Sequence, residues 1–238
     1  MKRGVTVSAA EVRVLSTHAV YEVMGDIGPA FEHAHSCKLS ISFDPANAIK
    51  RQIDSGTSFD VAIVSKKVIE DLVMQGAVRS ETCADIGRSG LGVSVRKGAP
   101  KPDLTTVDGF KRALLAAKTV VRSKDGTSGI YFETLLERLG IAEQMRGKIR
   151  LGGSGRIAEL VAKGDVEMAV QQISELLPVA GADFAGPFPA ELQLYTMFSA
   201  GIGAKSHEPE LAKALIASLM TAAAAALLKT NGLEPVVR

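Results

Sequence analysis

Tryptophan is absent from this chain, and with three tyrosines and eight phenylalanines the aromatic share is only 5%. Stacking surfaces for bases are therefore scarce. Lysine and arginine are dispersed and the net charge is +2, so nucleic acid is not an expected partner. The two cysteines, Cys37 and Cys83, lack both close spacing and a histidine cluster, which argues against a metal site; a single disulfide between them is left open. No metal and no cofactor is expected. Long apolar runs are missing too. The most apolar segment, Ala214 to Leu228, is interrupted by Ser218 and Thr221 and is shorter than the roughly 20 residues of a membrane span, so it reads as a packed C-terminal helix. Met1 to Ala10 carries basic residues without the apolar stretch of a signal peptide, which reads as cytoplasmic if the chain is complete.

What the sequence does contain is a regular alternation of short β-prone runs and segments with helical spacing. With 238 residues, 46% hydrophobic and 23% charged, the chain has material for one large or two small cores. Strands are predicted at 12–15, 39–43, 61–64, 91–96, 119–122, 149–151, 167–171 and 195–200. Helices are predicted near 19–33, 46–54, 67–74, 108–116, 130–139, 155–163 and 209–229. This is the order of an α/β fold with parallel-sheet character. Two glycine-bounded apolar segments, Gly90–Gly98 and Tyr195–Gly203, suit strands that cross between lobes. They divide the chain into 10–90 plus 199–238 as one lobe and 91–198 as the other, with a ligand cleft between them and hinges near Ser94–Lys97 and Ser199–Gly203.

Five strand ends carry small polar residues. Gly126-Thr127-Ser128-Gly129 precedes a helix, and unpaired N–H groups at a helix start favour an anion. Ser16-Thr17-His18 follows the first strand. Asp44-Pro45-Ala46-Asn47 follows the second, with Asp44 read as helix cap and Pro45 as first helical residue. Ser154 and Gly155 open another helix, and Gln171-Gln172-Ile173-Ser174 ends the strand at 167–171, with Ser174 read as the cap of Glu175–Leu177. Neutral donors gathered at strand C-termini point to an anion site, where open α/β sheets bind their ligands. The expected ligand contacts are Ser16, Thr17, His18, Ala46, Asn47, Thr127, Ser128, Gly129, Ser154, Gly155, Gln171, Gln172 and Ser174, with Arg122, Lys124 and Arg156 close enough to pair with further carboxylates.

Five motifs, in order, resemble the type II periplasmic binding proteins, and within them the molybdate-binding-protein-like branch. They are Met24-Gly25-Asp26-Ile27 to Phe31, Ala48 to Gly56, Phe59-Asp60-Val61-Ala62-Ile63-Val64-Ser65, Thr127-Ser128-Gly129-Ile130-Tyr131 and Val161-Ala162-Lys163-Gly164-Asp165-Val166-Glu167. The resemblance covers about 11–236. It implies the two-lobed fold, a periplasmic location, a small anionic ligand, a monomer and an ABC permease as partner. The departures fall where the family holds its oxyanion: Ala19, Ala46 and Gln172 stand in place of hydroxyl donors, while Ser174 and Glu175 keep their places. Unmade hydrogen bonds in a closed site cost roughly 1–3 kcal/mol each, so the resemblance implies a related anion of different shape, such as a di- or tricarboxylate, with a molybdate-like oxyanion left open if Ser16, Thr17 and Asn47 supply the missing donors.

Two functions of different class are carried forward. One is a solute-binding protein of an ABC-type importer without catalytic residues. The alternative is an isomerase, because the same branch is similar to aconitate isomerase, with His18, Lys124, Tyr131 and Glu175 as candidate acid–base residues. His18, at a helix start, is expected to be neutral because the helix dipole disfavours its proton. A third reading, the effector domain of a regulator, lacks a helix-turn-helix before residue 11.

Overall fold

The chain forms two mixed β-sheets, each covered by helices, in a computed structural model that describes residues 9–153 and 155–236. In chain order the elements are β1 (Glu11–Ser16), α1 (Tyr21–His35), β2 (Lys38–Phe43), α2 (Ala46–Asp54), β3 (Val61–Ser65), α3 (Lys66–Met74), β4 (Ala84–Ser89) and β5 (Leu91–Arg96). There follow α4 (Val107–Ala116), β6 (Val120–Ser123), α5 (Thr127–Arg138), α6 (Ala142–Met145), β7 (Ile149–Gly152), α7 (Ala158–Lys163), β8 (Met168–Gln172) and α8 (Ile173–Leu176). The last five are β9 (Ala182–Pro187), β10 (Thr196–Ile202), α9 (Pro209–Ser218), α10 (Ala222–Thr230) and β11 (Glu234–Pro235).

The first sheet has the order β11-β4-β10-β3-β1-β2 and the second β7-β6-β8-β5-β9. Strands β1, β2 and β3 run parallel, as do β7, β6 and β8, whereas β10 and β5 pair antiparallel to their neighbours. Buried on both faces, β3 reads as a near-continuous apolar run rather than an alternating one, and β8 stays buried along its length although it ends in Gln171 and Gln172. One apolar cluster on each side of each sheet fills the interior; in the second sheet Phe110, Phe132 and Phe188 pack ring on ring. A buried phenylalanine contributes roughly 1.5–3 kcal/mol, so this trio anchors α4 and α5 on the sheet.

Asp60, in the motif that precedes β3, is fully buried. Burial pushes its carboxyl upward, but hydrogen bonds donated by Arg13 N, Ser206 Oγ, His207 N and Glu208 N outweigh this and hold it below the usual carboxylate range. Its ionised form thus ties β1 to the loop before α9, a contribution lost only on acidification.

The structure corrects several sequence expectations. Strands β4, β9 and β11 were not predicted: Ala-Asp-Ile-Gly-Arg-Ser and Ala-Asp-Phe-Ala-Gly-Pro have weak β propensity and are held by pairing to β10 and β5. The helix expected at 209–229 is two helices bent by 63°. The break arises because the Thr221 hydroxyl accepts from Ala224 N, capping a new helix, and donates to Ser218 O. No single helix among the described residues is long and apolar enough to cross a membrane. Both cysteines are free thiols.

The expected hinge segments lie inside strands, Ser94–Arg96 within β5 and Ser199–Ile202 within β10. The chain instead leaves the first sheet at Gly90, between β4 and β5, and returns between β9 and β10, so all of β10, residues 196–198 included, belongs to the first sheet. The two crossings are fastened to each other by one side chain: Gln193 Oε1 accepts from Leu91 N at 2.6 Å and Gln193 Nε2 donates to Leu91 O at 3.0 Å.

Candidate functional site

The C-terminal ends of β1, β2, β6 and β8 converge on one cavity between the two sheets. From the first sheet it is lined by Thr17, His18, Asp44, Pro45, Ala46 and Phe198. Ser123, Gly126, Thr127, Ser128, Gly155, Gln171, Gln172 and Glu175 line it from the second. Its volume is about 30 Å³, room for only a few water-sized groups. Among the described residues the lining includes neither lysine nor arginine.

The backbone makes the donors. α5 starts at Thr127 with no side-chain cap on its first turn, so its leading N–H groups face the cavity end of the helix. Ser123 Oγ accepts from Gly126 N at 2.9 Å and holds the turn in shape. Glycine is obligatory two residues into the helix: a Cβ on Gly129 would lie 1.8 Å from the Ser123 carbonyl oxygen. α2 likewise begins at Ala46 without a side-chain cap. Asp44 is not that cap; its carboxylate accepts from Gln52 Nε2 at 2.8 Å, and Pro45 precedes the first helical residue.

Two titratable groups on the lining are displaced from their ordinary ranges in ways that make them neutral. Glu175 is pushed up to about 8 by burial, against the opposing effect of a hydrogen bond from Gln171 Nε2. His18 is lowered, chiefly by burial and further by Arg156, with Asp44 and Glu159 opposing. Burial rather than the helix dipole is the main cause, and the ring packs against Tyr21 and Phe43. At neutral pH the two shifts favour a protonated carboxyl and an unprotonated imidazole. Among the described residues, buried Thr17 Oγ1, Gln171 Oε1 and Ser174 Oγ have no hydrogen-bond partner, an unusual concentration of unmet polar atoms.

Of the expected ligand contacts, Thr17, His18, Ala46, Thr127, Ser128, Gly155, Gln171 and Gln172 line the cavity. Ser16, Asn47, Gly129 and Ser174 do not. Ser16 Oγ donates to Thr17 O, Gly129 is packed on Ser123, and Ser174 does not cap a helix: α8 starts at Ile173 and Ser174 N donates to Ser89 Oγ. Asn47 lines a neighbouring chamber. Ser154 lies outside the described residues. Among the acid–base candidates, His18 and Glu175 share the cavity, while Lys124 and Tyr131 stand outside it. Lys124 is exposed, and the Tyr131 hydroxyl donates to Leu192 O at 3.0 Å.

The arginines expected to pair with ligand carboxylates are already engaged. Arg122 is bound to Glu133 at 2.8 Å, and Arg156 reaches across the cleft to Glu22 at 2.6 Å with its guanidinium over the Tyr21 ring. Asp44, Pro45, Ser123, Gly126 and Phe198 were not among the expected ligand contacts. Asp44, Pro45 and Gly126 belong to loops the sequence did mark, and Ser123 ends the strand before one of them; Phe198, an ordinary apolar residue of a strand, gives no such signal.

Two sheets joined by a pair of crossings, with an anion-type cavity at strand ends between them, define a two-lobed binding protein. The chain belongs to the family described as bacterial extracellular solute-binding protein, which matches residues 12–234. It is 33% identical over 229 residues, covering 94% of this chain and 87% of the relative, to an aconitate isomerase of Pseudomonas sp. Among solved structures it is similar to the periplasmic molybdate-binding protein of Azotobacter vinelandii (TM-score 0.79, 18% identity, 95% of this chain and 99% of that one). The sulfate-binding protein SubI of Mycobacterium tuberculosis is also similar (TM-score 0.76, 17% identity, 95% and 87%). These likenesses establish the periplasmic-binding-protein type II fold.

Proposed function

We propose that this chain is an isomerase of the aconitate isomerase type, moving a proton within a tricarboxylate bound between the lobes. The observation that carries the reading is that His18 and Glu175 line one cavity, where burial shifts the imidazole down and the carboxyl up, toward the unprotonated base and protonated acid that proton transfer at neutral pH requires. The 33% identical relative supports the choice of substrate. His18 takes a proton from the methylene carbon next to the double bond. The electron pair spreads over the allylic carbons into the flanking carboxylate, and Glu175 delivers its proton to the former vinyl carbon. The double bond moves by one position, so cis and trans acids interconvert with no oxidant or co-reactant, and exchange with water then removes the proton from His18 and returns one to Glu175. The helix starts at Ala46 and Thr127 and the unpartnered Thr17 hydroxyl steady the charge that builds on the carboxylate.

The test is proton NMR of trans-aconitate incubated with the purified chain across pH 5–10. Interconversion is expected, with a bell-shaped rate. The alkaline limb falls near pH 8, where Glu175 loses the proton it donates, and the acid limb lies below the ordinary histidine value, where His18 becomes protonated.

A second reading, capture of a small anion for an ABC permease without turnover, is favoured by the cavity's small size and its wholly neutral donors. Molybdate affinity in the sub-micromolar range together with unchanged aconitate would select it. With Ala46 and Gln172 at positions where the resembling family has hydroxyl donors, weak molybdate binding is expected. Under either reading the family's extracellular placement supports a periplasmic site of action.

A further inference from the structure

A second chamber opens beside the inner cavity and shares Thr127 with it. It has a volume of about 490 Å³, and its lining includes Asn47, Lys66, Lys67, Asp71, Tyr131 and Tyr195. Its charge pattern runs against ordinary helix design. α3 begins here with Lys66 and Lys67 in its first turn, no acidic residue there and no side-chain cap, so two cations sit at the positive end of a helix where carboxylates are the stabilising choice. Lys66 is bound to Asp85 at 2.7 Å. Lys67 has no ion-pair partner among the described residues, and the only acidic side chain lining the chamber is Asp71. The inner cavity shows the complementary deficit: about 30 Å³, two acidic side chains and, among the described residues, no lysine or arginine. A trianion neither fits there whole nor finds its counter-charge there.

We infer that the outer chamber is a carboxylate subsite, in which Lys67, the first-turn N–H groups of α3 and the Asn47 amide hold the arm of a tricarboxylate that projects past Thr127 while its reacting carbons occupy the inner cavity. The inference rests on the tricarboxylate reading of the inner site. It makes Lys67 a specificity residue that distinguishes a tricarboxylate from the shorter dicarboxylate lacking that arm.

Isothermal titration with trans-aconitate and with fumarate, on the native chain, Lys67→Met and Asp71→Asn, tests it. Lys67 is exposed, so the substitution leaves the melting temperature unchanged. Loss of one charge-assisted bond is expected to weaken trans-aconitate by roughly tenfold or more and fumarate by less than about twofold, with KM rising and kcat nearly constant. Asp71→Asn is expected to tighten trans-aconitate. Unchanged trans-aconitate affinity in Lys67→Met, with the native chain binding and turning over, overturns the subsite alone. Binding that depends on Lys67 without turnover supports the subsite and removes the isomerase reading, and a native chain that binds no tricarboxylate overturns both.

Discussion

Replacing Glu175 with glutamine is expected to abolish turnover and to stabilise the empty protein at the same time. Turnover falls because glutamine keeps the shape and the Gln171 contact but has no transferable proton; loss of such a group costs on the order of 10²–10⁴ in rate. The stability gain follows from the direction of the shift. An unfolded chain releases the Glu175 proton above its ordinary value of 4.5, whereas the folded chain keeps it up to about 8. Between those values stability drops as pH rises, and above them the whole penalty is present. The side chain is half-buried by its accessible surface, and the residual solvent holds the penalty to a few kcal/mol. The variant and the native chain should melt together near pH 4 and separate progressively to pH 8, the variant higher. Melting curves across that range, read beside the NMR rate, check both halves; a variant equally active, or less stable at pH 8, contradicts the assignment.

Gly129→Ala is expected to damage the fold and the site together. The added methyl meets the Ser123 carbonyl oxygen at 1.8 Å, and neither partner can yield, since one belongs to the end of β6 and the other to the first turn of α5. The helix start must move away from the strand, at a cost of about 3 kcal/mol. For a chain of this size that lowers the melting temperature by roughly 6–12 °C. The N–H groups of Thr127 and Ser128 move with it, so anion affinity is lost as well. Gly25→Ala supplies the control. This glycine lies within α1 with nothing near its absent side chain, and the substitution is expected to add about 0.5–1 kcal/mol. Equal behaviour of the two alanine variants in thermal denaturation would contradict the packing argument.

The two-lobed α/β architecture was legible in the sequence because β1, β3, β6 and β8 are short β-prone runs that end in serine or glutamine, each followed by helical spacing. The loops around Thr17, Ala46, Thr127 and Gln171 were found the same way. What escaped was set by tertiary pairing. β4 and β9 have compositions of loops and become strands only beside β10 and β5. The true crossings at Gly90 and Gln193 escaped because a single amide bonding both backbone groups of Leu91 has no periodic signature. Glu175 was visible as a motif residue, but its protonated state depends on burial that only the assembled cavity provides. Arg122 and Arg156 misled for the converse reason: their partners, Glu133 and Glu22, are remote in the sequence or invisible to its local pattern.

On the proposed isomerase reading, the cavity moves a proton between Glu175, His18 and a bound tricarboxylate. The most direct measurement is solvent isotope incorporation: cis-aconitate incubated with the native chain in D₂O and followed by NMR, with Glu175→Gln and His18→Gln alongside. Proton transfer through these groups places deuterium on the methylene carbon as the trans isomer accumulates, and both variants suppress the two signals together. Undeuterated, unchanged cis-aconitate in a sample where calorimetry shows the anion bound would contradict the claim and leave a binding protein without chemistry.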